Sequence, residues 1–228
     1  MNPRPRVKIC CIQSGEEARL AIECGAAALG LVSSMSSGPG VIDEATIAEI
    51  AAVVPPPVAT FLLTSRCNAD AIIEQQRRCR TSTLQLCDYV SLSVYGRLRA
   101  ELPGIAIVQV IHVTGAEAVE RAREVAPHVD ALLLDSGDPR APVKELGGTA
   151  RVHDWGLSRR IRDEVSKPVF LAGGLTPENV PMAAQAVDPF ALDVCSGVRT
   201  MNRLDERKLR RFFAAVARWH STGEEADD

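Results

Sequence analysis

Apolar positions along the chain gather into eight short blocks, each followed by a longer stretch in which apolar residues recur every three or four positions. The blocks are 6–12, 28–33, 58–64, 83–87, 105–113, 131–135, 169–172 and 191–195, often β-branched and with little alternation. Such runs predict parallel strands buried on both faces. The intervening stretches 15–25, 43–54, 68–79, 91–102, 115–126, 155–166, 178–187 and 205–220 predict amphipathic helices. In the fifth of these, Ala118, Val119, Ala122 and Val125 form an apolar stripe, and Glu120, Arg121, Arg123 and Glu124 a solvated face. Asn68 and Asp205 stand where N-caps are expected.

Eight strand–helix units of about 28 residues each predict an α/β fold, a single (β/α)₈ barrel over residues 1–221. A doubly wound open sheet is the alternative, weakened because no GxGxxG fingerprint follows the first strand. The longest irregular segment, 136–154, follows the sixth strand, at the end of a barrel where active-site loops gather. The last seven residues, 222–228, are acidic and are expected to be a disordered tail.

Composition narrows the functional class. The chain has 228 residues, 46% of them hydrophobic, enough for one substantial core. A net charge of −3 with no evident basic face argues against a nucleic-acid partner. There is no apolar run of membrane-spanning length, and Met1-Asn2-Pro3-Arg4-Pro5-Arg6 lacks the apolar region of a signal peptide, so no membrane partner and a cytoplasmic location are expected. Seven cysteines, at 10, 11, 24, 67, 79, 87 and 195, show no CxxC spacing and stand apart from the four histidines. Neither a metal site nor a disulfide framework is expected; most are read as small buried hydrophobes. Cys10, Cys87 and Cys195 differ in standing at predicted strand ends.

Candidate chemistry follows from those strand ends. Cys10 is either a buried strand thiol or, at the catalytic face of a barrel, a thiolate base whose pKa is lowered by nearby positive potential. Asp135 ends the apolar run Ala131-Leu132-Leu133-Leu134, so its carboxylate must reach solvent, a partner or a ligand. It is either a cap or turn residue or a general acid. Asp193, between Leu192 and Val194, is either a structural hydrogen-bonding group inside the barrel or a substrate contact. Gly173-Gly174 and Ser196-Gly197 close strands seven and eight, where glycines let backbone N–H groups approach a phosphate. Gly147-Gly148-Thr149 offers a third wall.

Taken together, these segments resemble the phosphoribosylanthranilate isomerase family, (β/α)₈ enzymes of tryptophan biosynthesis, over nearly the whole chain. Lys8-Ile9-Cys10 is similar to the family's opening Lys-Ile-Cys-Gly. Gly25 to Val32 resembles its second-strand entry, and Leu84-Gln85-Leu86 its Val-Gln-Leu-His. Leu133-Leu134-Asp135 with Gly147-Gly148-Thr149 and Asp154-Trp155 resembles the loop after strand six. Leu171 to Val180 and Asp193 to Val198 resemble its phosphate-side motifs. The resemblance implies an Amadori rearrangement of an aminoaldose to an aminoketose, with Cys10 as base at C2 and Asp135 as acid at the ring oxygen. It implies no cofactor, and a small phosphosugar as partner of a monomer or homodimer.

The departures lie at the aromatic-acid end. Members usually carry an arginine in the loop after strand two that resembles an anchor for the anthranilate carboxylate. Here the loop reads Ser36-Ser37-Gly38-Pro39-Gly40-Val41, with Pro39 in that place and no Lys or Arg between Arg19 and Arg66. A lost charged hydrogen bond costs about 1.5–3 kcal/mol. Arg66 is the candidate replacement, with Arg199 a second. Cys11, Cys87, Gln109 and Ala150 replace the family's usual glycine, histidine, lysine and glycine. Three readings stay open: an isomerase with a different carboxylate anchor, a barrel serving another phosphosugar, and a non-catalytic phosphate binder.

Overall fold

The computed structural model describes residues 6–36 and 38–224, with side chains given as far as residue 218 in the last helix. Eight strands alternate with eight helices along the chain. They are β1 (Arg6–Ile9), α1 (Gly15–Glu23), β2 (Ala28–Val32), α2 (Glu44–Val53), β3 (Ala59–Thr64), α3 (Ala69–Cys79), β4 (Thr83–Leu86) and α4 (Leu92–Glu101). There follow β5 (Ala106–His112), α5 (Glu117–Val125), β6 (Ala131–Asp135), α6 (Trp155–Glu164), β7 (Val169–Leu171), α7 (Val180–Val187), β8 (Ala191–Val194) and α8 (Glu206–Glu224). The strands are parallel neighbours in sequence order, and β1 pairs with β8, with Lys8 opposite Asp193 and Ile9 opposite Val194. The sheet is therefore a closed (β/α)₈ barrel, as expected, and not the open alternative.

Side chains on alternate positions divide the apolar mass into layers. Ala28, Phe61, Val108, Ala131, Phe170 and Ala191 fill the barrel interior. Their neighbours along each strand, such as Ile9, Leu62, Ile107 and Leu134, pack outward against the helices. Gln109 is one of these outward residues, and the Tyr95 hydroxyl of α4 donates to it at 2.7 Å. It stands away from the interior because it is one residue out of phase with Val108 and Val110.

Element ends follow local chemistry. The Asn68 side chain accepts from the Ala71 N–H, and Asp205 from that of Lys208, so both expected caps are present. β1 stops at Ile9 instead of 12 because Cys11 turns the chain with a φ of 62°. Contact with the neighbouring strands still continues through Cys10 N–H to Val194 O and Ile12 N–H to Gly30 O. The start of α7 moves to Val180, with Pro181 in its first turn, where the missing N–H costs nothing. The expected tail boundary at 222 falls inside α8, which continues to Glu224; residues 225–228 lie outside the described residues.

Candidate active site

At the C-terminal mouth of the barrel lies an open cavity. Cys10, Asp135, Gly148, Gly173, Gly174, Asp193 and Ser196 all line it. Seven of the eight strands or the loops after them contribute to its wall, which brings residues from both ends of the chain, Cys10 and Ser196 among them, onto one surface.

Cys10 stands just past β1, 7% exposed, with its side chain turned inward. Two positions earlier on the same face, Lys8 is wholly buried and donates to Asp193 Oδ1 at 2.9 Å. The close spacing is reported by Gly30: a Cβ there would lie 2.9 Å from Cys10 Sγ and 3.1 Å from Lys8 Nζ. Burial pulls Lys8 toward neutrality, but Asp193 and the neighbouring thiols outweigh it and its pKa is raised, so the ammonium persists. Burial pushes the Asp193 carboxyl up, and Lys8 opposes this. For Cys10, a hydrogen bond from the Cys11 thiol, helped by the Lys8 charge, outweighs burial and holds the thiol below its ordinary range. Cys87 is inert by comparison, because burial pushes its thiol far up.

Asp135 ends β6, and its Oδ1 accepts from the Ser136 N–H at 2.7 Å. The second oxygen faces Gly147, where a Cβ would come within 2.8 Å of Oδ2. Only glycine at that turn leaves the carboxylate room, and Gly147 has a φ of 136°. Behind the site, burial lowers the pKa of His153, whose Nε2 lies 2.7 Å from Ser158 Oγ.

The loops after β7 and β8 form a backbone cradle. Gly173 and Gly174 have φ of 82° and 62°, conformations that favour glycine. A Cβ on Gly174 would meet the Arg151 carbonyl carbon at 2.7 Å, and one on Gly197 the Leu175 carbonyl oxygen at 2.0 Å. Gly197 does not line the main cavity; it lies in an adjoining groove with Gly174, Ser196, Lys208 and Arg211. The two cations at that rim were not singled out in the sequence, since they sit on α8, far along the chain.

The other end of the cavity is walled by Val32, Met35, Pro39, Leu63 and Leu146. Pro39 packs on the loop after β6, such that a Cβ on Gly148 would lie 2.5 Å from its Cδ. No Lys or Arg side chain is among the lining residues described. Arg66 is elsewhere, with its guanidinium 3.6 Å from Glu44. Arg199 is buried and bonded to Glu17 and to the carbonyls of Cys10 and Cys11. Neither Arg66 nor Arg199 is among the described residues lining this cavity, so position gives the expectation that one of them replaces the loop arginine no support. Gln85 lines the same wall, 3% exposed, and its Oε1 has no hydrogen-bond partner among the described residues. A glutamine in an apolar strand, in phase with Cys87, was the signal that could have found it.

Residues 7–215 match the family described as N-(5'phosphoribosyl)anthranilate (PRA) isomerase. N-(5'-phosphoribosyl)anthranilate isomerase of Halorubrum lacusprofundi is 38% identical over 93% of this chain and 97% of its own. The crystal structure of phosphoribosyl anthranilate isomerase from Thermotoga maritima superposes with a TM-score of 0.80 at 28% identity, covering 93% of this chain and 98% of that one. A phosphoribosyl anthranilate isomerase solved with reduced 1-(o-carboxyphenylamino)-1-deoxyribulose 5-phosphate gives a TM-score of 0.77 at 26% identity, with the same coverage. With a match across nearly the full barrel and relatives of this closeness, the chain belongs to the N-(5'-phosphoribosyl)anthranilate isomerase family.

Proposed function

We propose that the protein catalyses the isomerisation of N-(5'-phosphoribosyl)anthranilate, an Amadori rearrangement, with Cys10 as base and Asp135 as acid. Asp135 protonates the ribose ring oxygen, the ring opens, and positive charge develops on the exocyclic nitrogen. The Cys10 thiolate then removes the C2 proton, and the resulting enolamine tautomerises to the aminoketose. The observation that carries this reading is that Cys10 from the first strand and Asp135 from the sixth line one cavity beside two glycine cradles. A phosphate held by the N–H groups around Gly173, Gly174, Ser196 and Gly197, with Lys208 and Arg211 at the rim, orients C1 and C2 between the two side chains.

The cavity offers the aromatic ring an apolar wall of Val32, Met35, Leu63 and Leu146. Gln85 Oε1, a buried acceptor without a partner, is suited to an N–H or O–H of the substrate. With no cation among the described lining residues, binding rests on ring burial and the phosphate, with the carboxylate left toward the mouth. The residues in these roles work in a monomer or a homodimer, and the biosynthetic role suits the cytoplasm.

The test is turnover of freshly prepared phosphoribosylanthranilate, followed by loss of anthranilate-type fluorescence, with Cys10→Ala as control. Activity lost in the control supports the reading. Equal activity in wild type and Cys10→Ala overturns the assignment of the base. No turnover, in a protein that still binds ribose 5-phosphate, points to another phosphosugar with the same cradle.

A further inference from the structure

The family's usual glycine after the first-strand cysteine is Cys11 in this chain, and it lies beside a second thiol that the mechanism does not use. Cys11 Sγ and Cys195 Sγ are 2.8 Å apart. The β1–β8 register brings them together, since Ile9 pairs with Val194 one residue before Cys195. Arg199 holds the segment by donating to the Cys10 and Cys11 carbonyl oxygens. Cys11 keeps a φ of 62° although it is not glycine. Both thiols line the cavity mouth, between Cys10 on one side and the phosphate cradle at Ser196 on the other. Cys11 is buried and Cys195 is the more exposed of the two.

We propose that Cys11 and Cys195 form an oxidant-responsive dithiol site, which a hydroperoxide closes to a disulfide and which thereby shuts down the adjoining active site. The S–S bond, at about 2.05 Å, needs the two sulfurs to approach by less than 1 Å from their present positions. Cys195, open to the cavity, meets the peroxide first. Its thiolate sulfur bonds to one peroxide oxygen as the O–O bond breaks, and the other oxygen leaves as hydroxide and takes up a proton. The product is a sulfenic acid at Cys195. Cys11 sulfur then attacks Cys195 sulfur, the S–O bond breaks, and the departing hydroxide takes the Cys11 proton. Two thiols are oxidised to one disulfide and one hydrogen peroxide is reduced to two waters. A dithiol reductant reverses the step by thiol–disulfide exchange. The link pins the residue after Cys10 to the residue before the phosphate loop. A displacement of about 1 Å in a positioned catalytic group costs on the order of a hundredfold in rate.

The experiment treats the full-length protein with a few equivalents of hydrogen peroxide, blocks remaining thiols with N-ethylmaleimide, and maps peptides without reduction. The expected result is loss of two of the seven thiols and a peptide cross-linked through Cys11 and Cys195, both reversed by dithiothreitol. Retention of all seven thiols, a link through Cys10, or sulfinic acid at Cys195 without a link would each overturn the proposal. The same mapping of Cys195→Ser is expected to show no link at Cys11; wild-type mapping decides alone if that variant does not fold. The activity arm rests on the isomerase reading above. There kcat/KM is expected to fall at least tenfold with the link and to return on reduction. Unchanged activity in fully linked protein would overturn the shutdown, while a protein inactive before oxidation would count against the isomerase reading and leave the cross-link result to stand by itself.

Discussion

At the scale of single residues, the proposed chemistry depends on a thiol kept ionisable in a buried place. Cys10 alone would resist ionisation there, because burial raises a thiol pKa. The Cys11 thiol and the Lys8 ammonium reverse that balance. In the proposed mechanism Cys10 acts as thiolate, so rate is expected to rise with pH through the Cys10 pKa, and a lowered pKa moves that rise to lower pH. Replacing Lys8 by Met is expected to move the acid limb of kcat/KM against pH upward, costing about tenfold at pH 7 for each unit of displacement. It also leaves Asp193 buried without its partner, a loss of about 3–5 kcal/mol in urea unfolding that Asp193→Asn in the same chain largely relieves. A pH profile that does not move would remove Lys8 from any role beyond structure. Asp135→Asn keeps the acceptor for the Ser136 N–H but cannot deliver a proton. It is expected to lower kcat by about 10²–10⁴-fold with an unchanged melting temperature. Arg66→Ala should leave KM within about twofold, since Arg66 is not among the described residues lining the cavity; a tenfold rise would restore it as an anchor. That Cys10 and Asp135 would stand at the barrel mouth was legible in the sequence, because Asp135 ends an apolar strand and Cys10 follows one directly. The partnership of Lys8 with Asp193 was not, because the two residues are 185 apart and meet only where the barrel closes.

At the scale of elements, the strand blocks and helical stretches were readable almost residue by residue, with differences confined to ends. β6 runs from Ala131 to Asp135 as its apolar block does, whereas β1 loses three residues to the turn at Cys11. Hydrophobic runs mark where backbone is buried, but a strand ends where its φ and hydrogen bonds end, and Cys11 carries no sequence mark of a left-handed residue. The glycine loops after β7 and β8 show the converse. Their glycines were visible, while the reason each is needed lies in a neighbouring loop. At Gly197 the space for a side chain is taken by the Leu175 carbonyl, 2.0 Å from where a Cβ would sit. Gly197→Ala must therefore shift the loop after β8 away from that after β7. KM for the phosphorylated substrate is expected to rise at least tenfold, with kcat less affected. A KM unchanged in a stably folded variant would take the phosphate out of this cradle.

At the scale of the whole molecule, closing the barrel joins the first and last strands, and a partly buried cluster fastens that seam from outside. The Glu17 carboxylate of α1 accepts from Arg199 at 2.9 Å and 3.1 Å, from the Leu204 N–H at 2.8 Å and from the Gln13 N–H at 3.0 Å. Burial raises the Glu17 pKa, but these donors outweigh it and the net shift is downward from 4.5. A depressed carboxyl contributes stability that is complete above the unfolded value and fades as pH falls through the folded one. Glu17→Gln is expected to be about 3–5 kcal/mol less stable than wild type in urea at pH 7, with the gap narrowing below pH 4.5. A gap that stays constant to pH 3 would mean the charge on Glu17 does not hold the seam. The sequence by itself determined the eightfold alternation, the parallel buried strands, and the thiol, carboxyl and glycines that face the mouth, because burial period and turn chemistry are local properties. Only the tertiary structure decided which residues share a surface. It set Lys8 under Cys10, bound Arg66 and Arg199 to acidic or carbonyl partners, placed no Lys or Arg among the described residues lining the cavity, and brought Cys11 against Cys195. Those are contacts across a closed barrel, fixed by strand register and loop packing between residues far apart in the chain, and no local pattern encodes them.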